Sequence, residues 1–180
     1  SHNLAAILES STAPPVHVRT CFKRLAVLLR IGCQRGLKTI WGLSMSNRIK
    51  LHSEEMVVRW GDMDAFGHVN NIMYFRYFEQ CRVNWLSSIG RAEAVTEAVE
   101  GPVIVSTTAN YLLPLHYPAT VTISMYGTTP GRSSFNSYYE IRDTRDSNTL
   151  YTTGEAKIVW VDQKLGKSKP LPADILDLLA

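Results

Sequence analysis

The segment 62–71 gathers side chains that can take part in acid–base or nucleophilic chemistry. It holds two aspartates, one histidine and two asparagines, namely Asp62, Asp64, His68, Asn70 and Asn71. A carboxylate can take a proton from water or attack a carbonyl carbon itself, and an imidazole titrates near neutral pH. Loop aspartates also shape turns by accepting hydrogen bonds from nearby backbone, so a structural role stays open for both carboxylates.

The residues after Asn70 predict a long helix that begins beside these side chains. Its apolar positions recur at helical spacing, at Tyr74, Tyr77, Phe78, Cys81, Trp85 and Ile89. Asn70 suits the capping position, and the first turn of a helix presents unpaired N–H groups that can stabilise an oxyanion. Because the helix is apolar around most of its circumference, we expect a sheet to wrap around it.

Alternating apolar and polar residues predict the strands of that sheet. One strand precedes the helix and four follow it, at 54–60, 103–112, 121–126, 135–141 and 150–161. Gly154, inside the last strand, is predicted to mark a bulge. The order of these elements predicts an α+β fold, with an antiparallel sheet wrapped around one long central helix.

The segment 59–71, with the sequence RWGDMDAFGHVNN, joins a strand end, an aspartate loop and a helix start in fixed order. It resembles the hotdog-fold acyl-CoA thioesterases, and most of all their 4-hydroxybenzoyl-CoA thioesterase-like branch. The resemblance covers residues 50–165. It implies hydrolysis of an acyl-CoA thioester to a free acid and CoA, without a metal or another cofactor. It also implies a homodimer or homotetramer whose sheets join edge to edge, with active sites at the dimer interface.

Four residues are candidates for catalysis, and the resemblance implies the roles of two of them, Asp64 and Asn71. Asp64 stands at the position of the catalytic carboxylate, as nucleophile or general base, and Asp62 is the second choice. The backbone N–H of Asn71 would polarise the thioester carbonyl. Gly67 would let the chain approach the substrate closely. His68 is a further candidate base, although a histidine that orders the loop through hydrogen bonds is the favoured interpretation.

Four residues are predicted to contact the substrate. Phe66 and Tyr74 can line an acyl site or belong to the core, and Asn70 can orient water or cap the helix. Arg132, beside a glycine turn, is a candidate for the CoA phosphates, as are Lys164, Lys167 and Lys169. Glu79 lies too far along the helix to serve the same carbonyl and is expected to pair with Arg82.

Two other functions fit the same fold. A non-catalytic acyl-CoA-binding protein needs only the binding site. A hydratase or dehydratase would be expected to carry a His-Phe-Pro-Gly type segment, whereas His68 is followed by Val-Asn-Asn.

Charge divides the chain into two unlike parts. The net charge of +3 combines +7 over residues 1–50 with −4 over the rest. We therefore predict a basic N-terminal extension over 1–47, partly helical or disordered, and a hotdog thioesterase domain over 48–180. No nucleic-acid-binding motif accompanies the basic charge. The sequence has no run of about 18 apolar residues, so we expect no transmembrane helix. Three unpaired cysteines favour a reducing, cytoplasmic location, with Cys81 as a buried thiol.

Overall fold

The protein is represented by a computed structural model that describes residues 48–91 and 99–180. Its elements in chain order are strand β1 (Ile49–Val57), a short 3-10 helix (Trp60–Asp62), helix α1 (Asn71–Ser88), strands β2 (Glu100–Tyr111), β3 (Thr120–Gly127), β4 (Ser134–Asp143), β5 (Leu150–Asp162) and β6 (Lys167–Ser168), and helix α2 (Ala173–Leu178). The predicted extension 1–47 lies outside the described residues, so its boundary stays a prediction. Neither helix of the described ranges is long and apolar enough to span a membrane.

The strands form one antiparallel sheet in the order β1-β3-β4-β5-β2, and β6 pairs with the end of β5. Strands β1 and β2 are therefore the two edges. Alternation along β4 sends Phe135, Tyr139 and Ile141 to the buried face, and each is at most 3% exposed. The predicted α+β class, with an antiparallel sheet and one long helix, is confirmed.

Helix α1 lies on the buried face of this sheet. Its buried side chains are Tyr74, Tyr77, Phe78, Cys81, Trp85 and Leu86. The ring of Phe78 stacks on that of Tyr139 with centroids 4.8 Å apart. Burying an apolar side chain of this size contributes about 2 kcal/mol, so the packing of α1 on the sheet is a main source of the domain's stability. Cys81 is fully buried, as predicted.

Gly154 does not mark the bulge that the sequence predicted. It stays in register opposite Tyr139 of β4 and Ala109 of β2, and the irregularity between β2 and β5 lies instead between Ile104 and Ser106. A Cβ atom at Gly154 would overlap the ring of Phe78. The glycine therefore makes room for a helix side chain that packs directly on the strand.

The first strand also begins and ends earlier than predicted. Strand β1 spans Ile49–Val57 rather than 54–60, because the chain then turns into the 3-10 helix. The Asp62 side chain accepts a hydrogen bond from the Arg59 N–H at 2.9 Å. Such a bond from side chain to backbone competes with strand pairing, so the apolar Trp60 continues the strand pattern without belonging to the strand.

Candidate active site

An open cleft of about 430 Å³ lies where the loop before α1 meets the chain that leaves β2. Its lining residues are Asp64, His68, Val69, Asn71, Tyr74, Tyr111, Leu112, Leu113 and Pro114. The structure thus brings together four of the residues predicted from the sequence: Asp64, His68, Asn71 and Tyr74. The other four, Phe66, Gly67, Asn70 and Arg132, do not line this cleft.

The loop that carries Asp64 is a small closed hairpin. Its base is an isolated antiparallel bridge between Met63 and Val69. Above it, the Asp64 N–H donates to the His68 carbonyl at 3.0 Å, and the Gly67 N–H donates to the Asp64 carbonyl at 3.1 Å. Gly67 has φ +78°, a left-handed conformation that other residues adopt at a cost. The hairpin's tight turn is therefore sufficient reason for a glycine at this position.

The Asp64 carboxylate is held by one oxygen and open at the other. Its Oδ1 accepts the Phe66 N–H at 2.8 Å, which is the turn-shaping contact expected of a loop aspartate. Its Oδ2 makes no hydrogen bond within the described ranges. Since the side chain is still 21% exposed, the free oxygen can meet water or substrate in the cleft.

The start of α1 supplies an unpaired donor to the same cleft. Asn70 caps the helix, because its Oδ1 accepts the Ile72 N–H at 3.0 Å. For the next residue, Asn71, the backbone N–H forms no hydrogen bond among the residues that the structure describes. The Asn71 carbonyl accepts the Tyr111 hydroxyl at 3.1 Å, which ties the helix start to the end of β2. The free N–H and the helix dipole together favour a negative charge at this point.

Two histidines flank the aspartate loop. The Nδ1 of His68 lies 3.8 Å from Asp64 Oδ1, beyond hydrogen-bond distance, and its ring stacks on Phe66. The Nδ1 of His116 lies 2.8 Å from the Gly67 carbonyl. A carbonyl only accepts, so this His116 nitrogen carries the proton and supports the loop from outside. Sequence reasoning missed His116, because nothing in the local pattern indicates a contact across 49 residues.

Two tyrosines and two leucines form the apolar wall of the cleft. The rings of Tyr74 and Tyr111 meet edge to face with centroids 5.1 Å apart. Burial raises the pKa of both phenols above the ordinary tyrosine value, so both hydroxyls are neutral at physiological pH. Leu112 and Leu113 follow β2 and are each nearly half exposed. The usable signal in the sequence was a pair of leucines at a strand end, directly before Pro114.

Two predicted substrate contacts do not line the cleft of their own chain. Phe66 is 86% exposed at the tip of the loop. Arg132 lies in the turn before β4, where Ser134 pairs with Val159, whereas the cleft lies where Tyr111 pairs with Thr152. Seven positions along β5 correspond to about 24 Å, so within one chain Arg132 is remote from Asp64. Lys164, Lys167 and Lys169 follow β5 at that same remote end.

Glu79 has a different partner from the one predicted. Its carboxylate pairs with Arg76 at 3.1 Å, one turn earlier on the exposed face of α1. Arg82 turns inward instead, and its Nη1 donates to the Tyr139 hydroxyl at 3.1 Å. The i,i+3 spacing fits both arginines equally, so the spacing alone did not select the partner. Among the described residues, no three His, Cys, Asp or Glu side chains are placed to hold a metal ion.

A family model for the thioesterase-like superfamily matches residues 58–179, which is more than half of the chain. The chain belongs to the thioesterase-like superfamily. This thioesterase-like chain is also similar to the solved structure of the PA2801 protein of Pseudomonas aeruginosa, a candidate thioesterase. The two are 38% identical with a TM-score of 0.69, over 73% of this chain and 99% of that one.

Other solved structures extend the likeness. A candidate acyl-CoA thioesterase from Xanthomonas campestris is 35% identical with a TM-score of 0.58, over 63% of this chain and 95% of that one. A 1,4-dihydroxy-2-naphthoyl-CoA thioesterase from Synechocystis has a TM-score of 0.65 at 18% identity, over 71% of this chain and 94% of that one, which shows the fold alone. The predicted family, hotdog fold and thioesterase class are confirmed.

Proposed function

We propose that this thioesterase-like chain hydrolyses an acyl-CoA thioester to a free acid and CoA. One observation carries the proposal: the free Asp64 oxygen and the unpaired Asn71 N–H belong to the same cleft. Thioester hydrolysis needs a group that activates water or attacks the carbonyl, and a donor that holds the oxyanion. The similarity to a candidate acyl-CoA thioesterase supports CoA as the carrier.

The reaction follows from these two groups. The thioester oxygen accepts a hydrogen bond from the Asn71 N–H as negative charge develops on it. Asp64 either takes a proton from the water that attacks the carbonyl carbon, or attacks this carbon itself to form a mixed anhydride that water then opens. In both routes the carbon–sulfur bond breaks and the sulfur leaves with CoA, ending as its thiol. A donor in such a position contributes about 10²–10³-fold to the rate.

The remaining cleft residues bind and orient the substrate. Tyr74, Tyr111 and the two leucines after β2 hold the acyl group against the apolar wall. The His68 carbonyl closes the Asp64 loop by accepting the Asp64 N–H, and the His68 imidazole lies beside the carboxylate in the cleft. Gly67 permits the turn, and Asn70 fixes the helix start from which Asn71 projects its N–H. None of these roles requires a metal ligand or a bound cofactor.

The functional unit that we propose is a homodimer or homotetramer joined at the β2 edge. β2 is a twelve-residue edge strand on which Val103 and Val105 are 39% and 57% exposed. A long edge with exposed apolar side chains invites pairing with another strand. The cleft lies directly after this strand, so the partner would approach the site. Phe66 would then contact substrate at the rim, and Arg132 would reach a CoA phosphate from a second chain.

The test is hydrolysis of a panel of acyl-CoA esters with aromatic, short and long aliphatic acyl groups. Release of the CoA thiol is measured for the wild type and for Asp64→Ala. We expect turnover of at least one ester, lost in Asp64→Ala while binding of the ester persists. Binding without hydrolysis by the wild type would indicate an acyl-CoA-binding protein. Hydration of an enoyl-CoA would indicate a hydratase. Either result would overturn the proposal.

A further inference from the structure

We propose that Asp62 and Tyr77 are positioning residues, whose hydrogen bond fixes the Asp64 loop against helix α1. Neither side chain lines the cleft, and the proposed reaction uses neither. The effect on catalysis rests on the proposed thioesterase function, whereas the effect on the loop does not.

The Asp62 side chain is an internal anchor. It is 5% exposed, and its Oδ2 accepts both the Tyr77 hydroxyl at 2.7 Å and the Arg59 N–H at 2.9 Å. Tyr77 is itself 4% exposed and lies in the second turn of α1. One carboxylate oxygen therefore joins the turn that enters the loop to the body of the helix that follows it.

The backbone of the same residue closes the loop. The Asp62 carbonyl accepts the Asn70 N–H at 2.9 Å, and Asn70 is the residue that caps α1. Asp62 thus contacts the entry to the loop, its exit and the helix. Asp64 lies two residues further, inside the hairpin that these contacts close. A displacement of about 1 Å between reacting groups can cost 10²-fold in rate, so this anchor bears directly on the distance between Asp64 and the helix N–H.

The Tyr77 hydroxyl remains a donor under all ordinary conditions. Burial, and then the hydrogen bond and negative charge of Asp62, raise the pKa of Tyr77 far above its usual value. The bond is therefore not broken by titration of the phenol. The same geometry decides between the two aspartates of the loop, because Asp62 is buried and bonded whereas Asp64 Oδ2 is open.

A pair of tyrosine variants separates positioning from general stability. Tyr77→Phe removes the hydroxyl that reaches Asp62. Tyr139→Phe is the matched control, since Tyr139 is 1% exposed and its hydroxyl bonds with Arg82 and Ser137 at 3.1 and 3.0 Å, away from the cleft. We expect kcat to fall about 10–100-fold in Tyr77→Phe with KM within about 3-fold, and to stay within about 2-fold in Tyr139→Phe. Thermal midpoints of both variants show how far each loss is one of stability.

Amide hydrogen exchange supplies a readout that needs no activity. The N–H groups of Asp64 and Gly67 are bonded within the hairpin, and that of Asn70 is bonded to the Asp62 carbonyl just below its base. In Tyr77→Phe we expect them to exchange at least several-fold faster than in Tyr139→Phe at equal distance below the thermal midpoint. Exchange and kcat that match the control would overturn the proposal. A wild type that hydrolyses no acyl-CoA would refute the thioesterase function, and exchange alone would then decide the anchor.

The double variant Asp62→Asn/Tyr77→Phe completes the test. If the two residues act through one hydrogen bond, the double variant should lose about as much kcat as the more damaging single variant. Losses that multiply would show independent effects and would contradict a shared anchor.

Discussion

Two aspartates separated by one residue have opposite environments in this protein. Asp62 is buried, and its Oδ2 accepts two hydrogen bonds, whereas Asp64 keeps one oxygen open to the cleft. A buried carboxylate whose oxygen is already bonded is poorly placed to take a proton from water. We therefore propose Asp64 as the reactive carboxylate on the difference in burial, since the residue type is the same.

Burial predicts that the thiol of Cys81 is unreactive toward alkylating reagents. It is fully buried, and burial first, followed by the charge of Glu54, raises the pKa of its thiol to about 12. Since the thiolate is the reactive form, iodoacetamide at pH 8 should leave Cys81 unmodified in the folded protein. The measurement is the mass of the Cys81 peptide after digestion, with a denatured sample as the control. Equal labelling of both samples would contradict the packing of α1.

Among the residues of the site, the sequence predicted only those that lie close together along the chain. The order of Asp64, Gly67, Asn70 and Asn71 along one short segment predicted both the loop and the helix start. Tyr111 and His116 reach the site through tertiary contacts across 40 and 49 residues, to Asn71 and Gly67. No spacing within the chain indicates such contacts, so these two residues were found only in the structure.

The close contact between α1 and β5 is the element-scale feature that most depends on one residue. Gly154→Ala would place a methyl group against the ring of Phe78. We expect a loss of about 1–3 kcal/mol in the free energy of unfolding, because overpacking in a well-packed core forces side chains or backbone to move. Urea denaturation followed by circular dichroism measures it.

Gly131→Ala is the matched control for that substitution. A Cβ at Gly131 comes no closer than 3.4 Å to another atom, and the position lies in an exposed turn. Its effect should stay within about 0.5 kcal/mol. If Gly154→Ala lowered the free energy of unfolding as little as Gly131→Ala does, the packing of α1 on β5 would be looser than described.

Elements were predicted where packing repeats along the chain. The alternation of β3, β4 and β5 and the apolar face of α1 gave their positions to within a few residues, because burial on one face imposes these periods. The end of β1 was missed because a single hydrogen bond to Asp62 turns the chain. The role of Gly154 was missed because it depends on which helix side chain lies above it.

At the scale of the whole molecule, the proposed assembly makes the two edges of the sheet unequal. If chains join at β2, Val105→Lys should weaken the oligomer, because a charged edge residue disfavours strand pairing. Val57→Lys, on the β1 edge and 65% exposed, is the control. Light scattering coupled to size exclusion should give two or four times the chain mass for the wild type and Val57→Lys, and a smaller mass for Val105→Lys. A monomeric wild type, or a smaller mass only for Val57→Lys, would contradict the β2 edge.

At this scale, the two parts of the chain carry net charges of opposite sign. Residues 51–180, which hold the cleft, contribute −4, whereas the positive net charge comes from residues 1–50. The side-chain hydrogen bonds described for Asp64 and for the start of α1 are made within residues 64–111. The extension over 1–47 therefore stays a separate prediction, and the proposed chemistry rests on the described domain.

The most direct test of Asp64 as the reactive carboxylate is the kcat/KM of Asp64→Asn on the acyl-CoA ester that the wild type hydrolyses best. Asp146→Asn is the matched control, since Asp146 also accepts a backbone N–H two residues on, in the turn before β5, and does not line the cleft. We predict a loss of at least about 10³-fold for Asp64→Asn and less than about 2-fold for Asp146→Asn, because the amide keeps the shape but not the base or nucleophile. Activity of Asp64→Asn within about 10-fold of the wild type would contradict Asp64 as the reactive carboxylate.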